Sequence, residues 1–168
     1  PAQYEEMKKF IESGRWHISG ASWDATDTLV PSIESALRNI MLGQDYYRKE
    51  FGVESTDIFL PDCFGFGWTL PAIASHCGLI GFSSQKLQWR NKPFYGNDKY
   101  PFTVGLWQGI DGSTIMMTHG YDYNQRFEDG DLSENKDLLE LTGHSPLHMV
   151  YRYYGTGDIG GSPTLESV

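Results

Sequence analysis

Between Trp16 and Phe82, three predicted strands alternate with two stretches of helical periodicity, and this order constrains the fold more than any other feature of the sequence. The segments are, in chain order, residues 15–19, 33–50, 58–60, 69–77 and 79–82. Apolar residues that alternate with polar ones, as in the first segment, and short apolar runs bounded by turn residues are typical of strands, whereas apolar residues three and four apart are typical of helices. Strand, helix, strand, helix, strand makes two successive βαβ units, so the sequence predicts an α/β fold with a parallel sheet and right-handed crossovers.

The other predicted elements follow from local signals. Ser32 is predicted to cap the N-terminus of the helix at 33–50, and Gly52 to end it. The dipeptide Asp111-Gly112 is typical of a hairpin turn and joins two further apolar runs. The remaining elements are a helix at 3–13, the hairpin strands at 102–107 and 114–118, a helix at 134–141, a strand at 149–153 and a glycine-rich loop at 155–161.

Composition indicates an ordinary globular domain and argues against several functions. The chain has 168 residues, 39% of them hydrophobic and 21% charged, which is enough for one domain with its own core. Its formal net charge of −9 argues against nucleic-acid binding, which needs clustered Lys and Arg. There is no run of about 18 apolar residues, so no membrane span is expected. We interpret the chain as a soluble piece of a longer protein, cytoplasmic, periplasmic or secreted according to what precedes Pro1.

Charged residues follow four of the predicted strands, where parallel α/β sheets build their sites. These residues are, in chain order, Asp62, Lys86, Asp122 and Asp158. Carboxylates that converge at strand ends suit nucleophilic catalysis, acid–base catalysis or the binding of a divalent metal. Asp is also common in loops and at helix caps, so each of these residues taken alone is more often structural.

Asp62 has the most closely specified surroundings of the four. Gly65 and Gly67 follow it and allow backbone conformations that other residues resist, which suits a carboxylate held in one orientation. It lies too far before the helix at 69–77 to be the cap of that helix. The histidines, at positions 17, 76, 119, 144 and 148, show no metal-ligand spacing. By spacing, the chain therefore does not assemble a complete zinc site.

Several motifs along nearly the whole chain point to one family. They are, in order, Trp23-Asp24-Ala25-Thr26-Asp27, Leu60-Pro61-Asp62-Cys63-Phe64-Gly65, Gln85-Lys86-Leu87-Gln88-Trp89, Trp107-Gln108-Gly109-Ile110-Asp111-Gly112-Ser113 and Gly157-Asp158-Ile159-Gly160-Gly161-Ser162-Pro163-Thr164. Together they resemble glycoside hydrolase family 38, the α-mannosidases, and the second and fourth are quite specific to it. The resemblance implies that residues 1–168 are a piece of one catalytic domain. It also implies a partial parallel β/α barrel, which has seven strands in the full-length family.

The resemblance further implies a reaction and roles for particular residues. Family members hydrolyse terminal α-linked mannose of glycans with retention, through a covalent glycosyl-enzyme intermediate. Retention requires two carboxyl groups about 5 Å apart. Asp62 falls on the nucleophile of the family, which is also a zinc ligand, and Asp158 lies in the loop of the acid/base, where Ile159 interrupts a glycine run. The residues that fall on positions contacting mannose are Phe64, Lys86, Tyr121 and Asp122.

Zinc enters the interpretation through the same resemblance. In the family the ion holds vicinal hydroxyls of the mannose, and its other ligands are a His-x-Asp pair and a further His, which fall before and after this chain. We therefore expect Zn²⁺ in the full-length enzyme and none in the isolated chain, which is expected to be inactive. The unpaired strand edges of a partial barrel predict self-association of the isolated chain.

Two other classes of function are compatible with the residues. One is a non-catalytic carbohydrate-binding module, in which exposed Trp and Tyr rings stack on sugars. The other is a different divalent-metal hydrolase that uses Asp62, Asp122 and Asp158. The full reading frame discriminates between the classes, because a His-x-Asp upstream and a His downstream favour the mannosidase.

Overall fold

The computed structural model describes residues 2–88, 103–120, 132–157 and 160–161. The helices within this part are α1 (Ala2–Glu12), α2 (Ile33–Phe51), α3 (Leu70–His76) and α4 (Lys136–His144). The strands are β1 (Asp57–Phe59), β2 (Gly81–Ser84), β3 (Val104–Gln108) and β4 (Thr114–His119), and short 3₁₀ helices lie at Lys86–Gln88 and Leu132–Glu134. Among the helices of this described part, none is both long enough and apolar enough to cross a bilayer.

The four strands form one sheet in the order β1-β2-β4-β3. β1, β2 and β4 are parallel, and β3 is antiparallel to β4. Ile58 lies opposite Phe82, which in turn lies opposite Met117, so apolar side chains from three strands share one face. The α/β class and the βαβ unit formed by β1, α3 and β2 are confirmed. The closed barrel implied by the family resemblance stays a prediction.

The end signals of α2 act as the sequence predicts. The hydroxyl of Ser32 accepts a hydrogen bond from the backbone N–H of Ser35 at 3.2 Å, which satisfies one of the first N–H groups of the helix. Gly52 adopts the left-handed conformation, with φ of 69°, and its N–H donates to the carbonyl of Arg48. A side chain at this position would resist that conformation, so glycine ends the helix.

The predicted strand at 15–19 is absent, which corrects the expectation of two complete βαβ units. Ala21 donates its N–H to the carbonyl of Asp57 at 2.8 Å. Just before it, the carboxylate of Asp57 accepts from the hydroxyl of Ser19 at 2.6 Å and from the N–H of Gly20 at 3.3 Å. The segment is therefore bound to β1 largely by a side chain, which replaces the regular backbone ladder of a strand.

Residues 149–153 also differ from the predicted strand. The N–H of Tyr151 donates to the side-chain hydroxyl of Thr103 at 2.7 Å, so this backbone donor is used outside any strand ladder. The segment still lies beside the sheet, because Tyr153 is buried and its ring centroid is 6.0 Å from that of Phe59 in β1.

The core fills the space between one face of the sheet and helices α2 and α3. Phe82 of β2 is almost fully buried, and Phe66 packs edge-to-face against it with ring centroids 4.9 Å apart. The buried apolar residues of this core are Ala21, Ile40, Ile58, Leu60, Leu70, Ile73, Ala74, Leu79, Phe82 and Ile115. Burial of these side chains fixes β1 and β2 side by side, and the carboxyl ends of both strands consequently lie at one edge.

Candidate functional site

Asp62 and Lys86 meet at the carboxyl ends of β1 and β2. Asp62 comes three residues after β1, and Lys86 comes two residues after β2. Adjacent parallel strands end at the same edge of a sheet, so the loops that follow them can contact each other. They do so here, because Nζ of Lys86 lies 2.6 Å from Oδ1 of Asp62.

The two charges of this ion pair have very different environments. The side chain of Lys86 is 6% exposed, whereas that of Asp62 is 57% exposed. Burial of an ammonium group requires a charged or strongly polar partner, and the Asp62 carboxylate supplies one. The carboxylate of Asp62 is thus held by a buried charge while more than half of its side chain is exposed.

Phe64 completes a cluster with these two residues. The ammonium of Lys86 lies 4.7 Å from the ring centroid of Phe64, within the range of a cation–π interaction. The ring itself is 67% exposed, so it offers an apolar surface next to the carboxylate. We call Asp62, Phe64 and Lys86 the strand-end cluster. Three of the six site residues predicted from the sequence therefore lie in mutual contact through Lys86.

The backbone around Lys86 is bound on both sides. Its N–H donates to the hydroxyl of Ser84 at 3.1 Å, and the N–H of Gln85 donates to the carbonyl of Pro61 at 3.4 Å. Ser84 and Gln85 are both buried. The loop after β2 is thereby joined to the loop after β1. These contacts fix the backbone of Lys86, from which its long side chain reaches Asp62.

A group of hydroxyls beside β2 was not identified from the sequence. The hydroxyl of Ser83 lies 2.7 Å from that of Tyr153 and donates to that of Tyr151 at 3.1 Å. Burial raises the pKa of the Tyr153 phenol, so this group stays protonated at neutral pH. Three tyrosines within residues 151–154 are the signal that could have drawn attention to this segment.

The other predicted site residues, Tyr121, Asp122 and Asp158, lie outside the described residues. The separation between Asp62 and Asp158 that retention would require therefore stays a prediction. Across the described ranges, no three His, Cys, Asp or Glu side chains are grouped closely enough to hold a metal ion. Asp62 alone does not fit a tetrahedral zinc site, so its role as a metal ligand also rests on the family resemblance.

Sequence comparison places these residues in a family context. The model of the family described as glycosyl hydrolases family 38 N-terminal domain matches residues 1–166. Alpha-mannosidase G of Dictyostelium discoideum is 35% identical over 175 aligned positions, which cover 100% of this chain and 15% of the relative. The chain thus spans about 15% of the length of that curated relative.

Solved structures show a similar fold. An alpha-mannosidase from Enterococcus faecalis V583 superposes with a TM-score of 0.62 and 23% identity, over 77% of this chain and 14% of that one. A 4-alpha-glucanotransferase from Thermococcus litoralis superposes with a TM-score of 0.67 and 15% identity, over 94% of this chain and 24% of that one. At such identities the likeness is one of fold.

Proposed function

Because the chain belongs to glycosyl hydrolase family 38, we propose that it forms part of the catalytic domain of an α-mannosidase. The family resemblance drawn from the sequence motifs is confirmed by the match over residues 1–166 and by a relative that is 35% identical over the whole chain. The substrate in this proposal is a glycan with terminal α-linked mannose. The reaction is hydrolysis with retention at the anomeric carbon.

The proposed reaction has two steps, each with inversion. In the first, a carboxylate oxygen of Asp62 bonds to the anomeric carbon while the bond to the leaving oxygen breaks, and that oxygen takes a proton from Asp158. In the second, Asp158 removes a proton from water, whose oxygen displaces Asp62 from the anomeric carbon. The product is mannose with its original configuration, and both carboxyl groups return to their starting states.

The observation that carries this proposal is the 2.6 Å contact between buried Lys86 and the exposed carboxylate of Asp62. A nucleophile reacts faster when its position is fixed before the substrate arrives, because less freedom is lost in the transition state. The ammonium fixes one carboxylate oxygen in this way at the carboxyl ends of two strands. Phe64 adds an exposed ring on which a pyranose could pack.

The remaining parts of the proposal extend beyond the described residues. Tyr121 and Asp122 would bind mannose hydroxyls, and the three parallel strands would belong to a partial β/α barrel. Zinc dependence is included, with Asp62 supplying one ligand and the other ligands coming from outside this chain. When bound, the ion would hold vicinal hydroxyls of the sugar and orient the ring. The isolated chain is accordingly expected to be inactive.

The test of this function uses the full-length protein that contains this chain and an aryl α-mannoside. We expect hydrolysis, with α-mannose as the first product in proton NMR before mutarotation. An aryl β-mannoside and an aryl α-glucoside serve as controls and should not be hydrolysed. First formation of β-mannose would contradict the retaining mechanism. Binding of mannosides without turnover would favour the carbohydrate-binding module.

Lys86→Met in the full-length enzyme is expected to lower kcat/KM by about 100-fold, because a nucleophile released from its fixed position costs about this much. Methionine has a similar length and tolerates burial, so it removes the charge with little change in packing. Lys49→Met is the matched control, since Lys49 pairs with Asp45 on the exposed surface of α2 and should leave kcat/KM unchanged. Steady-state kinetics measure both variants, and an unchanged value for Lys86→Met would contradict the role of the ion pair.

A further inference from the structure

The loop at 26–30 is bound directly to the loop that carries Asp62. The hydroxyl of Thr28 donates to the carbonyl of Gly65 at 2.8 Å, across 37 residues of sequence. The thiol of Cys63 lies 3.4 Å from the carbonyl oxygen of Thr26 and 3.6 Å from that of Gly65, so its single proton has an acceptor in each loop. The Thr28 hydroxyl, with the Cys63 thiol beside it, thus joins these loops next to the strand-end cluster.

The two glycines after Asp62 lie directly against the loop at 26–30. A Cβ atom at Gly65 would lie 2.6 Å from Cδ1 of Leu29, so this exposed side chain would have to rotate away. A Cβ atom at Gly67 would lie in ordinary van der Waals contact, 3.4 Å from the carbonyl oxygen of Thr28. The glycines, interpreted from sequence as turn residues, therefore also mark where the loop at 62–67 packs against the loop at 26–30.

The loop at 26–30 is itself anchored, so it can hold its neighbour in place. The carboxylate of Asp27 accepts from the N–H groups of Leu29 at 2.7 Å and Val30 at 3.3 Å, which shapes the turn that presents Thr28. Upstream, the backbone N–H of Trp23 donates to the backbone carbonyl of Asn39 in α2 at 2.9 Å. Hydrogen bonds consequently tie the chain to α2 at Trp23, shape the turn at 27–30 and join Thr28 to Gly65.

From these contacts we propose that Thr28 is a positioning residue, which fixes the loop bearing Asp62 through the carbonyl of Gly65. The inference rests on the proposed function, in which Asp62 is the nucleophile. Lys86 holds the Asp62 carboxylate from the side of β2, and Thr28 holds the backbone three residues further on from the side of α2. Without the Thr28 hydroxyl, the loop can shift, and a displacement of about 1 Å can cost about 100-fold in rate.

The experiment compares three variants of the full-length enzyme. Thr28→Val removes the hydroxyl and keeps the shape, and we expect kcat to fall by about 10- to 100-fold with KM within about twofold. Thr28→Ser keeps the hydroxyl and is expected to restore kcat to within about threefold of wild type. Thr26→Val is the control in the same loop, because that hydroxyl donates locally to the carbonyl of Asp27 at 3.0 Å, and its kcat should match wild type.

The outcomes separate a positioning role from a merely structural one. If Thr28→Val lowers the melting temperature but turns over at the wild-type rate when folded, the proposal is overturned. Equal losses in the Val and Ser variants would overturn it as well, because the hydroxyl would then not be the group responsible. Asp62→Ala distinguishes this inference from the proposed function. If Asp62→Ala is inactive and Thr28→Val is fully active, the positioning role is wrong and the proposed function stands. If Asp62→Ala is active, the assignment of Asp62 as the nucleophile is wrong.

Discussion

Replacing Asp62 by Ala in the full-length enzyme is expected to abolish α-mannosidase activity, with kcat reduced by about 10⁴-fold or more, as for the loss of a nucleophile. The variant lacks the oxygen that would bond to the anomeric carbon, so the covalent intermediate cannot form. Hydrolysis of an aryl α-mannoside, followed by release of the aryl group, measures the effect. We also expect lower zinc content in the purified variant, because Asp62 is proposed as one of the ligands.

Two controls separate the nucleophile from other effects of this substitution. Asp62→Asn keeps the volume and an amide oxygen beside the buried ammonium of Lys86, and it should be as inactive as the Ala variant. Asp45→Ala removes an exposed carboxylate of α2 that pairs with Lys49, and it should keep wild-type kcat. Azide added to Asp62→Ala is expected to attack the vacated face and give β-mannosyl azide. Unchanged turnover in both Asp62 variants would show that another group is the nucleophile.

The parts of the fold that were predictable from sequence are those set by neighbouring residues. Ser32 and Gly52 mark the two ends of α2 because their capping bonds reach only three or four residues along the chain. The hairpin of β3 and β4 likewise follows from Gly112. The turn requires a positive φ at this position, here 85°, which glycine adopts readily. The N–H of Gly109 donates to the carbonyl of Ser113 at 2.8 Å and closes this turn.

The parts that were not predictable depend on contacts between distant residues. Nothing in the local pattern around Trp16 indicates that Asp57 would bind the following segment through its side chain, so a strand was predicted there and is absent. The contacts of Thr28 with Gly65 and of Tyr151 with Ser83 span 37 and 68 residues. For Asp62, the sequence motif identified the residue, but only the packing of β1 beside β2 places Lys86 against it.

Gly43 shows how such a distant contact can reverse a prediction made from local rules. Glycine in a helix interior is less favourable than Ala by about 1 kcal/mol, so helix propensity alone predicts that Gly43→Ala stabilises α2. In the structure, a Cβ atom at this position would collide with the carbonyl oxygen of Ala21. It would also lie 2.6 Å from the carbonyl carbon of Ser22 and 2.7 Å from the backbone nitrogen of Trp23. All three are backbone atoms, which cannot rotate away as a flexible side chain could.

Gly43→Ala is therefore expected to destabilise the full-length protein by about 1–3 kcal/mol, the usual range for adding atoms to a well-packed region. To relieve the collision, the segment at 21–23 must move away from α2. This movement weakens the hydrogen bond from Trp23 to Asn39, which ties the chain to α2 just before the loop at 26–30.

Gly143→Ala in α4 is the matched control, since a Cβ atom there meets nothing within 4 Å. This substitution should be neutral or stabilising by up to about 1 kcal/mol. Thermal unfolding followed by circular dichroism compares the two variants. A midpoint for Gly43→Ala at or above that of wild type would mean that the segment at 21–23 does not lie against α2 as the structure places it.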